Sequence, residues 1–313
     1  MKSGSNLEKV LRAGHFAFTG ELGPPRGANA DAVREKARYL KGLVDSVNIT
    51  DNQTAMVRMS SWAASLIAIE EGLEPNYQMV CRDRNRLAMQ ADVLGASAHG
   101  IRNLLCLSGD HQQFGDHPNA KGVFDIDSTQ LISTIKKMRD ESKFLSGAKI
   151  DGAPKIFIGA AANPFAEPFE WRVHRLAKKI EAGADFIQTQ CIYNMKKMRE
   201  WVKMANDMGL TEKVAILAGV TPMKSLGMAR YMKNNVPGMD VPDEIIDRLK
   251  GCAKGKHAEE GIKMACEQIE EFKEMKGIAG VHLMAIEWEH KVPEIAERAG
   301  VLPRPTFNEE PAE

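Results

Sequence analysis

The amino-acid sequence predicts an α/β protein folded as a (β/α)8 TIM barrel in a single domain. Its 313 residues suit one large barrel. Short apolar or β-branched runs alternate eight times with longer segments of helical spacing, which favours parallel strands joined by helical crossovers. The strand segments are nearly continuous apolar runs, as expected for strands covered by helices. A doubly wound parallel sheet is the alternative architecture.

Each predicted strand is short and follows a polar or glycine-containing break. The eight strands are expected at 15–21, 44–50, 76–81, 101–107, 155–161, 184–190, 213–219 and 278–286. The helices between and after them are expected at 30–42, 58–71, 84–96, 127–143, 168–183, 195–208, 224–233 followed by 244–276, and 290–299.

Two segments depart from the repeat. The charged stretch 251–276 stands before the eighth strand, so we expect an inserted extra helix there. Residues 1–300 are then expected to form the catalytic barrel. Residues 301–313 are rich in proline and glutamate, and we expect them to form a frayed C-terminal tail.

Charge and hydropathy exclude several classes of partner. The 42 Lys and Arg residues balance 42 Asp and Glu residues, so net charge offers no support for binding nucleic acid or an anionic membrane surface. No apolar run approaches the roughly 18 residues of a membrane span, and the N-terminal segment lacks a signal-peptide core. We expect a cytoplasmic protein whose partner is a small molecule or another protein.

The cysteine and histidine patterns do not indicate a metal site. Five cysteines without a CxxC pair suit a reducing compartment, and Cys81, Cys106 and Cys191 lie in apolar runs typical of buried thiols. His111 and His117 share one loop without a third ligand at a characteristic spacing, so no metal is expected. The sequence motifs that mark P-loop, Rossmann and zinc-peptidase sites are missing from the sequence.

Function in such a barrel lies at the C-terminal ends of the strands, where the first strand ends in Glu21. The following Gly-Pro-Pro restricts the backbone and would hold this carboxylate in one place. Two interpretations stay open at this point. Glu21 is either a general acid in the barrel mouth or a rim carboxylate paired with Arg26.

The fourth strand ends in Ser108-Gly109-Asp110. The glycine permits close approach of a flat or phosphorylated ligand, and the aspartate can accept hydrogen bonds from an aminopyrimidine edge. The alternative is an ordinary Gly-Asp turn. The long loop that follows, 110–125, suits a mobile active-site loop.

The sixth strand carries two amides, Gln188 and Gln190, which strand alternation places on the same side. If that side is the barrel interior, both face the mouth, where a ligand with paired donors and acceptors would satisfy them. Otherwise they are interior polar residues bonded to water. Lys179 is expected to be solvated unless it contacts a phosphate.

Five motifs in the same order resemble the methylenetetrahydrofolate reductase family over about residues 14–300. They are ELGPPR at strand one, VNIT at strand two, GIRNLLCLSGD at strand four, KKIEAGADFIQTQ at strand six and AGVTPMKSL after strand seven. Each motif falls at a predicted strand end. The resemblance implies a (β/α)8 barrel that uses a non-covalent flavin to reduce 5,10-methylenetetrahydrofolate to 5-methyltetrahydrofolate by ping-pong hydride transfer.

The resemblance also assigns roles. It makes Glu21 the general acid, and it makes Asp110 both a catalytic and a pterin-binding residue. Gln190 matches a glutamine that bonds the pterin or the nicotinamide, and Met228 occupies a substrate-contact position. The positions that match flavin contacts are Thr50, Gln78, Leu107, Ser108, Gly109, Asp110, Ala160, Ala162 and Lys179.

The cofactor implied is FAD by family default. Gln78, Ser108 and Ala162 replace the residues expected at their positions, which makes FMN an alternative. NADH or NADPH is the implied electron donor. A homo-oligomer, or a zinc-containing or electron-donating partner subunit of the kind found in acetogenic relatives, is also implied, as is a role in one-carbon metabolism.

Two other functions remain open from the sequence. A pterin-binding barrel methyltransferase would share the aspartate and amide contacts but would need neither flavin nor Glu21. A non-catalytic electron-transfer or scaffold subunit of a reductase complex is the other.

Overall fold

The computed structural model describes residues 1–236 and 238–307. Within this part, eight parallel strands pair in sequence order, and the eighth pairs with the first, with Thr19 beside His282. This closure excludes the doubly wound sheet and confirms the predicted barrel. The strands are β1 (Ala17–Leu22), β2 (Ser46–Ile49), β3 (Pro75–Val80), β4 (Asn103–Leu107), β5 (Phe157–Ala162), β6 (Phe186–Cys191), β7 (Ala215–Val220) and β8 (Gly280–Leu283).

Helices surround the barrel and cover the outer faces of the strands. Their ends follow local capping signals, such as the capping box that Asp127 and Gln130 form at the start of the fifth helix. The helices are α1 (Asn6–Arg12), α2 (Ala30–Leu40), α3 (Ser61–Glu70), α4 (Arg86–Ala98), α5 (Ser128–Glu141), α6 (Trp171–Ala182), α7 (Met195–Asp207), α8 (Leu226–Asn235), α9 (Asp243–Lys250), α10 (His257–Glu274) and α11 (Val292–Arg298). None of the helices in this part is long and apolar enough to cross a membrane.

The extra helical structure before β8 is present, but its position differs from the expectation. Ile262, Ile269 and Phe272 of α10 are buried in the main core, so segment 251–276 supplies the barrel helix of the seventh unit. Instead, α8 and α9 pack around a separate apolar cluster that includes Ala229 and Leu249. The many charges of α10 lie on its solvent face, and an amphipathic barrel helix therefore resembles an insertion in sequence.

The N-terminal end of the barrel is closed by α1. Leu7 and Val10 of this helix pack against Phe157, Phe186 and Leu217 at the base of the strands. The Phe157 and Phe186 rings stack with their centroids 5.2 Å apart. The lower barrel interior is therefore apolar, and polar interior residues concentrate toward the opposite end.

Residues 301–307, which we expected to fray, pack on the base of the barrel. The Arg304 guanidinium pairs with the buried Asp45 at 2.6 Å and donates to the Phe16 carbonyl. Phe307 contacts the basal apolar cluster. A buried ion pair holds this segment in place. Residues 308–313 of the predicted tail lie outside the described residues, and the division of the chain at residue 300 stays a prediction.

Candidate active site

A cavity of about 410 Å³ opens at the C-terminal ends of the strands, and we call it the mouth cavity. Its size is that of a small-molecule site. Nine residues singled out from the sequence line it, and they come from the ends of β1, β2, β3, β4 and β6. They are Glu21, Thr50, Gln78, Leu107, Ser108, Gly109, Asp110, Gln188 and Gln190. Gln188 lies in the barrel interior below this cavity, and Gln190 lines both this cavity and its neighbour.

Glu21 faces a histidine rather than an arginine. Its side chain is 14% exposed, and its Oε2 lies 3.5 Å from Nε2 of His282 on β8. Arg26 instead pairs with Asp116 in the loop after β4. The pairing of Glu21 with Arg26 is therefore wrong, and the carboxylate is free to face the cavity.

His282 belongs to a layer of buried polar side chains across the barrel interior. Its Nδ1 lies 3.0 Å from Thr19 Oγ1, and its Nε2 lies 3.2 Å from Asn48 Nδ2. Asn48 donates to Gln188 Oε1 at 2.7 Å, and Gln188 donates back to Asn48 Oδ1 at 3.1 Å. Asn76 also donates to Asn48 Oδ1, at 2.7 Å. Mutual hydrogen bonds thus satisfy most of the polar groups below the cavity.

Sequence reasoning missed His282 and Asn48. Both lie within short buried strands, where a polar residue resembles a satisfied core side chain. The available signal was their alternation: Asn48 stands two positions before the predicted rim residue Thr50 on the same face of β2.

The Gly109-Asp110 turn is held by contacts from neighbouring loops. Gly109 has φ of 89°, a conformation that favours glycine. The backbone N–H of Thr54 donates to Asp110 Oδ2 at 3.2 Å, and Thr54 itself has φ of 55°, which is strained for a β-branched residue. The turn is therefore a positioned element of the site rather than an ordinary surface turn.

Arg82 is a third residue of the site that the sequence did not single out. It is 3% exposed and donates to the carbonyl oxygens of Asp110 and Asn52 at 3.0 and 3.2 Å. Its ion pair with Asp83, at 2.7 Å, raises the pKa of the guanidinium. Arg82 therefore joins the loops after β2, β3 and β4 and holds Asp110 at the mouth.

A second cavity of about 230 Å³ adjoins the mouth cavity and shares Leu107, Ser108, Ala161 and Gln190 with it. We call it the cationic cavity because three of its lining residues are Arg172, Arg175 and Lys179. In the described ranges, none of these three forms an ion pair with a carboxylate.

Lys179 is a half-buried member of this group. Its Nζ donates to the Ala161 carbonyl. Burial, with a contribution from the nearby Arg175, lowers the pKa of Lys179 to about 8. An uncompensated, partly desolvated cation cluster of this kind favours an anionic ligand such as a phosphate.

Three sequence-predicted residues occupy other places. Ala162 lines only the cationic cavity. The side chain of Ala160 is fully buried in the core, and Ala161 lines both cavities instead, because adjacent strand residues point to opposite sides. Met228 packs on the α8–α9 cluster and does not line either cavity, because α8 belongs to the inserted pair of helices.

The remaining candidate ligands behave as ordinary side chains. His117 Nδ1 lies 2.9 Å from Asp116 in the loop after β4. No cluster of three potential metal ligands occurs among the residues with described positions. The predicted burial of Cys81, Cys106 and Cys191 is confirmed, and all three are free thiols.

Residues 6–300 match the family model described as methylenetetrahydrofolate reductase. The chain belongs to this family. It is 23% identical over 315 residues to methylenetetrahydrofolate reductase 2 of Schizosaccharomyces pombe, an alignment that covers 96% of this chain and 48% of the relative. It is 22% identical to a probable methylenetetrahydrofolate reductase (NADPH) of Caenorhabditis elegans, covering 94% and 44%. The chain thus spans about half the length of these relatives.

One solved structure shows the same fold as this methylenetetrahydrofolate reductase family member. It is an uncharacterized protein from Clostridium thermocellum, described as binding two copies of 5-methyl-5,6,7,8-tetrahydrofolic acid. The TM-score is 0.64 with 14% sequence identity, and the match covers 95% of this chain and all of the other. At that identity the likeness concerns the barrel itself.

Proposed function

We propose that this protein reduces 5,10-methylenetetrahydrofolate to 5-methyltetrahydrofolate by ping-pong hydride transfer. The observation that carries this proposal is the position of Glu21, which lies in the mouth cavity within reach of a buried imidazole and beside Asp110 and Gln190, the proposed pterin contacts. Membership in the family supports the same reaction. The chemical class of the substrate is a reduced folate.

Glu21 acts as the general acid. Reduction of the methylene bridge requires the five-membered ring of the folate to open, and the departing nitrogen needs a proton. A carboxyl group that enters the cavity from a strand end followed by Gly-Pro-Pro is held in place to deliver that proton.

Asp110 and Gln190 orient the substrate. Asp110 carries an exposed carboxylate held by Thr54 and by the Arg82 contact to its backbone. It accepts hydrogen bonds from the aminopyrimidine edge and stabilises the cationic iminium that ring opening produces. Gln190 supplies an amide donor and acceptor at the junction of the two cavities.

A flavin fits the combined cavities and would supply the hydride to the folate. Thr50, Gln78 and the turn from Leu107 to Asp110 would hold its ring system, because they line the mouth cavity. Arg172, Arg175 and Lys179 would hold its phosphate in the cationic cavity. Both FAD and FMN carry a phosphate at the end of the ribityl chain. NADH or NADPH is the proposed source of reducing equivalents.

The purified protein tests this proposal in two steps. Its visible spectrum, before and after addition of FAD or FMN, reports flavin binding, and chromatography of the flavin released by denaturation identifies the cofactor. Anaerobic mixing of the flavin-reduced protein with 5,10-methylenetetrahydrofolate should reoxidise the flavin and yield 5-methyltetrahydrofolate. A protein that binds no flavin under any of these conditions would overturn the proposal and favour a flavin-independent pterin enzyme.

A further inference from the structure

We infer that His282 is a positioning residue that holds Glu21 and returns a proton to it between turnovers. This inference rests on the proposed function of Glu21 as general acid. Two observations support the role of His282: the 3.5 Å contact between its Nε2 and Glu21 Oε2, and the layer of polar side chains that surrounds the imidazole. Glu21 is the carboxylate within ion-pair distance of His282 among the described residues.

In the observed arrangement, hydrogen bonding favours a neutral imidazole with its proton on Nδ1. Asn48 Nδ2 lies 3.2 Å from Nε2 and donates to it, so Nδ1–H donates to Thr19 Oγ1 at 3.0 Å. The Thr19 hydroxyl in turn donates to the Val281 carbonyl at 3.3 Å. These proton positions are assigned from the hydrogen-bond pattern. Glu21 Oε2 lies 3.5 Å from the same Nε2 atom.

The same layer also accommodates a charged imidazole. Rotating the amides of Asn48, Gln188 and Asn76 by half a turn exchanges their nitrogen and oxygen atoms, so Asn48 then accepts from Nε2–H of His282. The Asn48–Gln188 pair keeps two hydrogen bonds in either arrangement, because each amide offers a donor and an acceptor. Asn76 Oδ1 has no hydrogen-bond partner, so the layer is not locked into a single pattern.

This pairing gives a balanced proton cycle. Glu21 loses its proton to the folate nitrogen and becomes a carboxylate. The imidazolium of His282 then transfers its Nε2 proton to Glu21 Oε2, which restores the neutral acid and leaves a neutral imidazole with Nδ1–H. A proton from solvent in the mouth cavity, which His282 lines, recharges the imidazole.

The first experiment is kinetic and uses the flavin-loaded protein. His282→Gln removes the imidazole but keeps an amide for Asn48 and Thr19. We expect it to retain flavin and the reductive half-reaction while slowing steady-state turnover of 5,10-methylenetetrahydrofolate by about 10- to 100-fold, because Glu21 must regain its proton before each new cycle. The control is His290→Gln, since His290 is exposed and lies in the turn after β8; it should leave both half-reactions unchanged.

Coupling separates a proton relay from a merely structural role. If His282 acts through Glu21, the double variant Glu21→Gln/His282→Gln should be no slower in steady-state folate turnover than Glu21→Gln alone. Additive losses in the double variant, or an unchanged rate in His282→Gln, would overturn the inference. Loss of bound flavin in His282→Gln, with a slowed reductive half-reaction, would likewise assign a structural role.

A second measurement does not depend on folate turnover. With ¹⁵N-histidine labelling, the side-chain resonances of His282 should differ between the wild-type protein and Glu21→Gln, while those of His290 stay the same. Identical His282 resonances would exclude the shared proton even if the reductase activity is found. If the His282 resonances differ between the wild type and Glu21→Gln but the wild type shows no folate activity, the proposed function is refuted. The interaction between Glu21 and His282 would still be supported in that case.

Discussion

Glu21 Oε2 and His282 Nε2 lie 3.5 Å apart because β1 and β8 are neighbours in the closed barrel. Thr19 stands directly beside His282 in the strand register, and Glu21 follows two positions later on the same face. The pair therefore sits at the level where the polar barrel interior meets the mouth cavity.

Glu21→Gln should keep its flavin and its reduction by the electron donor but lose folate reduction by about 10²- to 10⁴-fold, because a neutral amide cannot supply the proton. Stopped-flow measurement of the two half-reactions separates these effects. Arg26→Gln is the control: it breaks the rim contact with Asp116 and should leave the proton donor intact. Folate turnover at the wild-type rate in Glu21→Gln would remove this residue from the acid role.

Asp110→Asn should weaken the folate half-reaction and raise the flavin potential, since a carboxylate no longer opposes the gain of negative charge nearby. Circular dichroism melting should show an intact fold, because the Asp110 side chain is exposed and Arg82 bonds its backbone oxygen. Redox titration and rapid kinetics measure the two effects. Folate kinetics equal to the wild type would contradict the pterin assignment.

Affinity for the flavin phosphate should fall as pH rises through about 8. Burial lowers the pKa of Lys179 to about 8, so the lysine loses its charge above that pH. A bound phosphate favours the charged form, and the loss of affinity therefore continues above the pKa of the free site. Fluorescence titration of the apoprotein with FMN between pH 6 and about 10 measures this dependence.

Lys179→Met should bind FMN more weakly at neutral pH and should lose most of the decline above pH 8. The adjacent Lys178→Met is the matched control, because Lys178 is exposed and does not line the cationic cavity. Equal FMN affinity in Lys179→Met and the wild type would place the phosphate elsewhere.

Protonation of Glu8 should lower the free energy of unfolding of the protein in acid. Burial alone would raise the pKa of Glu8, but the backbone N–H groups of Lys2, Ser3 and Gly4 outweigh it and lower the pKa to about 2. Because the folded-state pKa lies below the ordinary glutamate value of about 4.5, the stabilising contribution is complete above that pH and is lost as pH falls toward 2.

Glu8→Gln should therefore lower the free energy of unfolding at pH 7 by an amount on the order of 2 kcal/mol, and the difference should shrink in acid. Urea unfolding at several pH values measures it. Glu35→Gln, on the exposed face of α2, is the control and should have little effect. A difference between wild type and Glu8→Gln that stays constant between pH 7 and 3 would contradict the assignment.

Local patterns in the sequence were sufficient for most of the architecture. Hydrophobic runs and helical spacing depend on neighbours in the chain, so the eight strands and the rim positions of Glu21, Asp110, Gln188 and Gln190 could be predicted. Which of the adjacent residues Ala160 and Ala161 faces the cavities was not predictable from these patterns, because a shift of one position along a strand moves a side chain to the other face.

Other features depended on which segments meet in space. The partner of Glu21 could be Arg26 nearby in sequence or His282 near the other end of the chain, and only closure of β1 against β8 brings the histidine there. The same holds for α10, whose charged sequence resembles an insertion until its apolar face is seen against the barrel core. Periodicity is a property of adjacent residues, whereas hydrogen-bond partners and buried faces arise from contacts between distant ones, and those exist only in the folded chain.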